Sequence, residues 1–466
     1  AQNGYTLARV IGVQPVPQGI VVIDVAEGKV ADVKLRFVNR EGSPVDAQGN
    51  PVRHRTQEGF ARRQIKLQPG DVFQVSVARE DLQRLQALGI FEQVNVTFEG
   101  DARNTTVVYN LMERPPRDIR FGAGYNDSLG VVATINVQDV NFGGLGQRLG
   151  GTVLVGTRDI QFDGRFVSPY RDTEPNVPGY NANVFRRRGL SVVFDDEVRL
   201  PNGDRAREQK YGANIGLEKP IGAGWMGNWG LSYTNVSIRD NGGQVSPVDE
   251  LGNSLTLSGT GVDDLVSFTF SAVKDLRDYA LNPSIGSLAR FDTEQYLPIG
   301  RGNVLGTKFQ ASYTQYVPVK LITASHQTPP NPLQAQPEVL VLNLQGGTFV
   351  GDLPPYNAFI VGGTGSVRGW DTGGIATSRS YIEASAEYRF PIYRFIGGAA
   401  FVDFGSDLGT NSDVPGEPGV VRDKPGTGLG FGVGVRVNSP FGIVRGDLGF
   451  SNQGDVRFQF GFGQKL

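Results

Sequence analysis

Short segments in which apolar and polar side chains alternate recur from Arg117 to the end of the chain. A period of two residues is typical of β-strands with one face in an apolar and the other in a polar environment. We therefore predict a mainly β fold, in which the aromatic face of the last segment meets lipid. That segment places Val456, Phe458, Phe460 and Phe462 on one face and Arg457, Gln459, Gly461 and Gly463 on the other.

These segments are compatible with strands that cross a membrane. No part of the sequence approaches the roughly 18 consecutive apolar residues that a membrane-spanning helix needs. A closed barrel does not need such a run, because its strands alternate between lipid and lumen and keep the mean hydropathy low. The hydrophobic fraction of only 39% therefore does not exclude a membrane protein.

We predict sixteen strands, an even number as in single-chain outer-membrane barrels, at about 22 residues per strand and turn. Fourteen and eighteen strands are the alternatives. The predicted strands are centred near residues 121, 135, 153, 164, 193, 213, 232, 269, 290, 312, 343, 385, 401, 433, 446 and 459.

The residues before Pro115-Pro116 have a different pattern. Strands are predicted at 20–25, 30–38, 91–98 and 105–111, and an amphipathic helix at 79–88 ends at Gly89. Residues 40–60 are polar and rich in turn-forming residues, so we expect a loop there. The order strand, helices, strand, strand indicates a small α+β domain.

Composition argues against several function classes. The net charge of −2 gives no electrostatic basis for binding nucleic acid. The absence of cysteine excludes disulfides, thiolate catalysis and cysteine-ligated metals.

Candidate catalytic or metal-binding residues are few, and we predict no enzymatic activity, no cofactor and no metal site. The two histidines, His54 and His326, lie in predicted surface loops. The paired acids Asp195-Asp196 and Asp263-Asp264 fall at strand ends or in turns, where carboxylates cap the turn or face solvent. Tyrosines and the three tryptophans are expected in girdles at the membrane interface.

A charged motif stands out in a glycine-rich loop. Val367-Arg368-Gly369-Trp370 is followed by Glu387 and Asp403 on the next two predicted strands. If the loop folds back into the lumen, strand periodicity permits both acids to point towards Arg368. Bidentate bonds between a guanidinium and carboxylates fix orientation as well as adding energy, so we predict a lumen latch. An isolated Arg-Gly pair would more simply be hydrated at a loop tip.

Several segments, in order along the chain, resemble the Omp85 superfamily, and within it the BamA-like assembly factors. The segment 85–94 is similar to the helix-to-strand signature of the POTRA domain, the periplasmic module of that superfamily. The tip aromatic, Trp370, departs from the usual Phe or Tyr. The barrel segments that carry the resemblance are 122–125 and 139–147, the mid-barrel hairpin 274–288, the long loop 355–370, and the two strands 387–391 and 401–405.

The resemblance implies a 16-stranded antiparallel transmembrane β-barrel with an N-terminal periplasmic α+β POTRA domain. We expect residues 1–28 to be the end of a preceding POTRA domain, 29–115 a complete copy and 116–466 the barrel, with 351–379 as a lumen-entering loop. The natural protein is then longer than this sequence. The length of the 40–60 insertion is similar to the cyanobacterial and plastid branch, so the implied location is a bacterial outer membrane or a plastid outer envelope.

The function that the resemblance implies is the assembly of outer-membrane β-barrel proteins. Unfolded clients would bind the POTRA domain by strand augmentation and enter the membrane through a lateral gate between the first and last strands. The implied partners are unfolded β-barrel precursors, membrane lipids and accessory assembly subunits. The predicted gate seam contains Phe121 and Gly122 on the first strand, and Phe458, Phe460, Gly461 and Gly463 on the last.

The two glycines of the last strand and the function each admit two interpretations. Gly461 and Gly463 weaken strand packing, but they could equally leave room for a neighbouring lumen side chain. A polypeptide-translocating pore, either a two-partner secretion transporter or a plastid import channel, is the alternative to the assembly factor. A diffusion porin fits less well, because it needs neither the loop nor the POTRA domain.

Overall fold

Antiparallel strands make up most of the computed structural model, which describes residues 5–17, 20–101, 104–126, 130–156, 160–194, 198–322, 338–393, 395–439 and 442–465. Two units can be distinguished in it. The first comprises residues 1–124, 132–155 and 162–183, and the second comprises residues 125–131, 156–161 and 184–466.

In the first unit, two helices accompany a three-stranded sheet. The elements are β1 (Arg9–Val16), β2 (Ile20–Ala26), β3 (Val30–Phe37), α1 (Glu58–Arg63), α2 (Val75–Ala87), β4 (Phe91–Gly100) and β5 (Thr105–Glu113). The sheet has the order β3-β5-β4, with β3 parallel and β4 antiparallel to β5. A separate antiparallel pair, β1-β2, precedes it.

Helix α2 begins four residues before the predicted start at 79 and buries Ala78, Asp81 and Leu85 on one face. Asp81 is completely buried, and its carboxylate accepts hydrogen bonds from the backbone N–H groups of Lys66 (2.8 Å) and Leu67 (3.3 Å). The Tyr109 hydroxyl donates to the same carboxylate at 2.8 Å. Burial, reinforced by Asp81, raises the pKa of Tyr109.

The prediction of a loop throughout 40–60 is wrong at its end. Glu58 begins helix α1, and Phe60 is buried in the core of the small domain at 2% exposure. The turn-rich composition that favoured a loop belongs to the residues before the helix, where Val45 and Pro51 form an isolated bridge.

Sixteen antiparallel strands form one sheet in which sequence neighbours are also spatial neighbours, which confirms the predicted number. The strands are β6 (Arg117–Asn126), β7 (Gly130–Phe142), β8 (Gln147–Gly156), β9 (Ile160–Ser168), β10 (Gly179–Leu190), β11 (Arg207–Gly222), β12 (Trp225–Arg239), β13 (Val262–Asp275), β14 (Gly286–Leu297), β15 (Gly306–Pro318), β16 (Val339–Gly351), β19 (Ser380–Tyr393), β20 (Ile396–Ser406), β21 (Thr427–Ser439), β22 (Gly442–Ser451) and β23 (Val456–Phe462). Two short strands, β17 (Phe359–Val361) and β18 (Ala376–Ser378), form a separate pair between β16 and β19 in the chain. The order in the sheet runs from β23 through β22, β21, β20, β19 and β16 down to β6, so that β6 and β23 stand at its two ends.

One predicted strand is misplaced. The segment centred near 193 is not a strand, and β10 ends at Leu190. Val193 and Phe194 are buried in a hydrophobic cluster that joins loop residues such as Leu200 to strand residues such as Val236 of β12 and Leu265 of β13. An apolar run that packs in such a cluster resembles a strand in sequence.

The two faces of the sheet differ in the sense expected for a membrane barrel. On β21, Phe431, Val433 and Val435 are exposed, whereas Arg436 is completely buried. Glu387 on β19 is likewise buried. An apolar exposed face and a charged buried face indicate that the surroundings of the sheet are less polar than its interior. Within the described residues, none of the helices has the length and apolar character needed to cross a bilayer.

The pairing of β19 with β20 positions two acids. Ser385 lies opposite Asp403, and Glu387 lies opposite Phe401, in an antiparallel register. Residues directly opposite each other share a face, as do residues two apart on one strand. Glu387 and Asp403 therefore both point to the buried face.

Candidate functional site

A long loop between β16 and β19 packs against the buried face of the sheet. It contains a 3-10 turn at Pro355–Asn357 and the hairpin of β17 (Phe359–Val361) with β18 (Ala376–Ser378). Tyr356 fastens the start of the loop, because its hydroxyl donates to the buried carboxylate of Asp263 at 2.8 Å. We call residues 362–374, between the two short strands, the loop tip.

The loop tip shares a small hydrophobic core with the ends of the two short strands. Val361, Val367, Trp370, Ile375 and Ala376 form a buried hydrophobic cluster. A turn in which Gly363 N–H donates to the Val367 carbonyl at 3.0 Å shapes the tip just before Arg368. The tip is therefore a folded structure that presents one arginine.

Arg368 is completely buried and lies between the two acids named from the sequence. Its Nε and Nη2 donate to the two carboxylate oxygens of Asp403 at 2.7 and 3.0 Å, and its backbone N–H donates to the same group at 3.1 Å. Its Nη1 donates to Glu387 at 2.5 Å. The guanidinium carbon lies 3.5 Å from the centre of the Phe401 ring, a cation–π arrangement.

The ionic network extends beyond these three residues. Arg389 donates to Glu387 at 2.6 Å, and Arg436 lies between Glu387 (3.2 Å) and Asp447 (2.6 Å). Lys465 Nζ lies 3.0 Å from Asp403 Oδ1. Burying this many charges is favourable only when each is paired and hydrogen-bonded, so the network depends on its geometry.

Sequence reasoning missed Arg389, Arg436, Asp447 and Lys465. A weak signal was present, since Arg389 stands two residues after Glu387, on the same face of β19. Alternation alone does not show which inward charges meet across different strands.

Every strand from β19 to β23 bonds to the loop tip. In addition to the latch acids on β19 and β20, Trp370 Nε1 donates to the Leu429 carbonyl of β21 at 2.9 Å. Arg445 of β22 donates to the Thr364 carbonyl at 3.4 Å, and Gln459 of β23 bonds to Gly369 and Trp370. The tip is therefore fixed to five neighbouring strands. Trp370 is 4% exposed, so it does not belong to a surface girdle, contrary to the expectation for all three tryptophans.

Two glycines make this close approach possible. Gly369 has φ of +89°, and a Cβ there would meet the backbone of Phe450 at 2.7 Å. A Cβ on Gly430 would lie 1.8 Å from the Arg368 carbonyl oxygen. Both positions exclude a side chain because backbone packs directly on backbone.

Five of the six residues of the predicted gate seam lie on the first and last strands, whereas Gly463 follows the last one. Phe121 of β6 is exposed, as are Phe458 and Phe460 of β23, and Gly122 follows Phe121 on β6. A Cβ on Gly461 would meet Arg445 at 2.6 Å, so this glycine leaves room for a side chain on the buried face. Gly463 follows β23 with φ of +77° and open space around it.

The histidines and the paired acids are the residues considered as catalytic or metal-binding candidates. His54 is exposed and stacks on Phe37, and His326, Asp195 and Asp196 lie outside the described residues. Asp263 is buried rather than solvated, and accepts hydrogen bonds from the backbone of Leu257 and Ser258. Asp264 bonds to Arg301. Among the described residues, no group of three or more acids and histidines is arranged to hold a metal ion.

Comparison with known proteins is informative over the whole chain. Residues 141–466 match the Omp85 superfamily domain, and residues 44–114 match the POTRA family, described as a surface antigen variable number repeat. Outer envelope protein 80, chloroplastic, of Arabidopsis thaliana is 27% identical over 99% of this chain and 61% of its own length. Protein TOC75-3, chloroplastic, of the same plant is also 27% identical, over 99% of this chain and 59% of its own length. The chain thus spans about three fifths of these relatives.

The fold has a counterpart among solved structures. BamA from Haemophilus ducreyi lacking POTRA domains 1-3 superposes with a TM-score of 0.67 at 18% identity, covering 99% of this chain and 90% of that one. At this identity the likeness concerns the fold alone, a barrel with an N-terminal POTRA domain.

Proposed function

Because the chain belongs to the Omp85 superfamily of outer-membrane proteins, we propose that it inserts unfolded β-barrel clients into the outer membrane. The observation that carries the proposal is the loop tip fixed to five adjacent strands through a buried ionic network. A loop bound in this way covers part of the buried side of the sheet, which favours work at the barrel wall over passage through the lumen. On this proposal, a client is inserted into the membrane at the wall of the barrel.

The latch is the first part of this proposal. Arg368, Glu387 and Asp403 hold the loop tip, with Val367, Gly369 and Trp370 completing its packing. Removing one partner of a buried ion pair leaves the other charge uncompensated, at a cost of roughly 3–5 kcal/mol. A latch of this strength would keep the tip bound to β19 and β20 while the first and last strands of the barrel separate.

The second part is a lateral gate between β6 and β23. In support, β23 has 7 residues, whereas β6 has 10, and a shorter strand offers fewer ladder hydrogen bonds. An edge strand with unpaired N–H and C=O groups is a template for another strand. A client strand would pair with that edge and then pass into the bilayer.

The third part is client capture by the small domain, for which we propose the bounds 29–115, followed by the barrel at 116–466. Its outer strands, β3 and β4, each pair with β5 on one side only in the three-stranded sheet. Such strands accept an extended peptide by augmentation. We assign residues 1–28 to a preceding POTRA domain, supported by the exposure of Val10, Val13 and Ile23 in the β1-β2 pair.

A translocating pore is the second candidate. The observation in its favour is that a TOC75 protein is as similar to this chain as outer envelope protein 80 is, at 27% identity in both cases. The loop tip would then act as a plug that leaves the lumen during transport.

Reconstitution into liposomes separates the two functions. We expect an unfolded outer-membrane β-barrel added outside to become folded and membrane-embedded, detected by its heat-modifiable gel mobility, faster than in empty liposomes. A soluble unfolded polypeptide should stay accessible to external protease. Protection of the soluble polypeptide together with no acceleration of barrel folding would overturn the assembly function in favour of the pore.

A further inference from the structure

The last strand contributes its own side chains to the loop tip. Gln459, which is 9% exposed, spans the tip backbone with its amide. Its Nε2 donates to the Trp370 carbonyl at 3.1 Å, and its Oε1 accepts from the Gly369 N–H at 3.4 Å. One amide thus satisfies a donor and an acceptor of two consecutive tip residues, as a paired strand would.

The segment after β23 reaches the latch itself. Gly463, at φ of +77°, redirects the chain, and Lys465 then places Nζ 3.0 Å from Asp403 Oδ1 with only 3% of its side chain exposed. The same oxygen accepts hydrogen bonds from Arg368 Nη2 at 3.0 Å and from Ser385 at 2.5 Å. One latch acid is therefore shared between the loop tip and the segment that follows the last strand.

A third contact is weaker. Arg457 at the start of β23 lies 2.5 Å from Asp371, but their side chains are 39% and 64% exposed. Exposed ion pairs of this kind contribute little, because water and salt screen them. The buried contacts of Gln459 and Lys465 are the ones able to couple the strand to the tip.

We propose that Gln459 and Lys465 are positioning residues that couple the loop tip to β23, so that release of one loosens the other. Gln459 does so through its bonds to the tip, and Lys465 does so through the Asp403 carboxylate that also binds Arg368. The inference rests on the proposed function, in which β23 is the strand that opens. When β23 leaves its place, the tip loses its two bonds to Gln459 and Asp403 loses its bond to Lys465, while the bonds of the tip to β19–β22 remain. Coupling is reciprocal, so a freed tip must loosen β23 by the same free energy.

Coupling predicts that a substitution in the loop tip changes β23 even where the substituted residue does not contact that strand. Arg368 has no bond to β23 in the described residues, yet its removal should speed amide hydrogen exchange in β23. Net hydrogen-bond contributions change a local opening equilibrium by about three- to tenfold for one or two bonds. We expect an acceleration of this size in residues 456–462 for Arg368→Ala.

The decisive measurement compares hydrogen exchange of β23 with and without Arg368→Ala in a protein that lacks the two coupling side chains. In Gln459→Met/Lys465→Met, which keeps side-chain length but removes both polar ends, adding Arg368→Ala should leave β23 exchange unchanged. Ser366→Ala, which loosens the tip at β19 through the lost bond to Glu383, replaces Arg368→Ala if the latter does not fold. Gln295→Met is the matched control, since Gln295 of β14 bonds to the carbonyls of Tyr296 and Gly306.

The outcomes are distinct. Equal acceleration of β23 by the tip substitution with and without Gln459 and Lys465 would overturn the inference, as would no acceleration in either background. Because exchange is measured without a client, it is independent of the liposome experiment. Coupling without client insertion would contradict the proposed function alone, and insertion without coupling would contradict this inference alone.

Discussion

Arg436 of β21 donates to Asp447 of β22 at 2.6 Å, and both side chains are completely buried. Asp447 Oδ2 also lies 3.8 Å from Arg368. This pair therefore supports the latch from the side opposite Asp403. Removing one partner of the Arg436–Asp447 pair should therefore destabilise the fold more than replacing both partners with apolar residues.

We expect Asp447→Leu alone to destabilise the folded barrel by roughly 3–5 kcal/mol, because Arg436 loses a buried partner. The loss of unfolding free energy in Arg436→Met/Asp447→Leu should be smaller than the sum of the losses in the two single variants. The reason is that the double variant removes both desolvated charges together. Urea titration of the heat-modifiable folded band measures all three. Strict additivity of the single effects would show that the pair does not interact.

Arg368→Ala is expected to free the loop tip and to reduce client insertion, because Glu387 and Asp403 then lose a shared cation. The loss of stability should be roughly 3–5 kcal/mol, visible as a lower temperature for conversion of the folded gel band. Arg290→Ala is the control, because the Arg290 side chain is 56% exposed and its pair with Asp292 contributes little. Unchanged gel mobility and insertion in Arg368→Ala would contradict the latch.

Gly430→Ala should expel the loop tip, because its Cβ would lie 1.8 Å from the Arg368 carbonyl. The chain has no cysteine, so Val367→Cys, at a completely buried position, provides a single reporter. We expect maleimide labelling of this cysteine to be at least about tenfold faster in the Gly430→Ala background, the effect of about 1.4 kcal/mol. Gly189→Ala is the control, because no heavy atom lies within 4 Å of its added Cβ.

A disulfide across the predicted seam should stop client insertion without unfolding the barrel. Cysteines at Phe121 and Phe460, or at their immediate neighbours, would be compared in oxidised and reduced liposomes. The control joins two strands that the gate does not separate, through cysteines at Val433 and Leu448, which pair directly in β21 and β22. Full insertion activity in the oxidised seam variant would argue against a lateral gate.

Tyr109→Phe should change the alkaline stability of the small domain. The pKa of Tyr109 is raised in the folded state by burial and Asp81, whereas an unfolded tyrosine titrates near 10. The contribution of the protonated tyrosine is thus complete below pH 10 and is lost as the pH rises above that value. Urea unfolding between pH 9 and 11 should show a smaller loss of stability in Tyr109→Phe than in the unchanged protein. An identical pH dependence would contradict this account.

Much of the sheet is predictable because alternation is a local property. Strand periodicity permits Glu387 and Asp403 to point inward, and a glycine-rich loop with one arginine indicates what they meet. The error near residue 193 has the opposite origin, because Val193 and Phe194 are loop residues whose apolar side chains pack in a cluster with residues of neighbouring strands. Phe60 was missed because turn-forming neighbours obscured a helix of only 6 residues.

The wider network could not be predicted in the same way. Arg436 and Glu387 meet only because β19, β20 and β21 have one particular register, which is set by interactions along whole strands. Lys465 lies beyond the last strand, where no periodicity applies, and reaches Asp403 because the chain turns at Gly463. These contacts depend on long-range geometry that no short motif records.

The attachment of one loop tip to five consecutive strands has a consequence for how this part of the chain tolerates change. Removing a single residue within β20 would exchange the inward Asp403 for its outward neighbour Val402 and reverse every position beyond the deletion. The same holds for β19, β21, β22 and β23, since each supplies a contact at a fixed register. A substitution changes one contact, whereas an insertion or a deletion moves every later side chain of the strand to the other face. The number of residues in each of these strands is therefore as much a part of the site as the identity of Arg368.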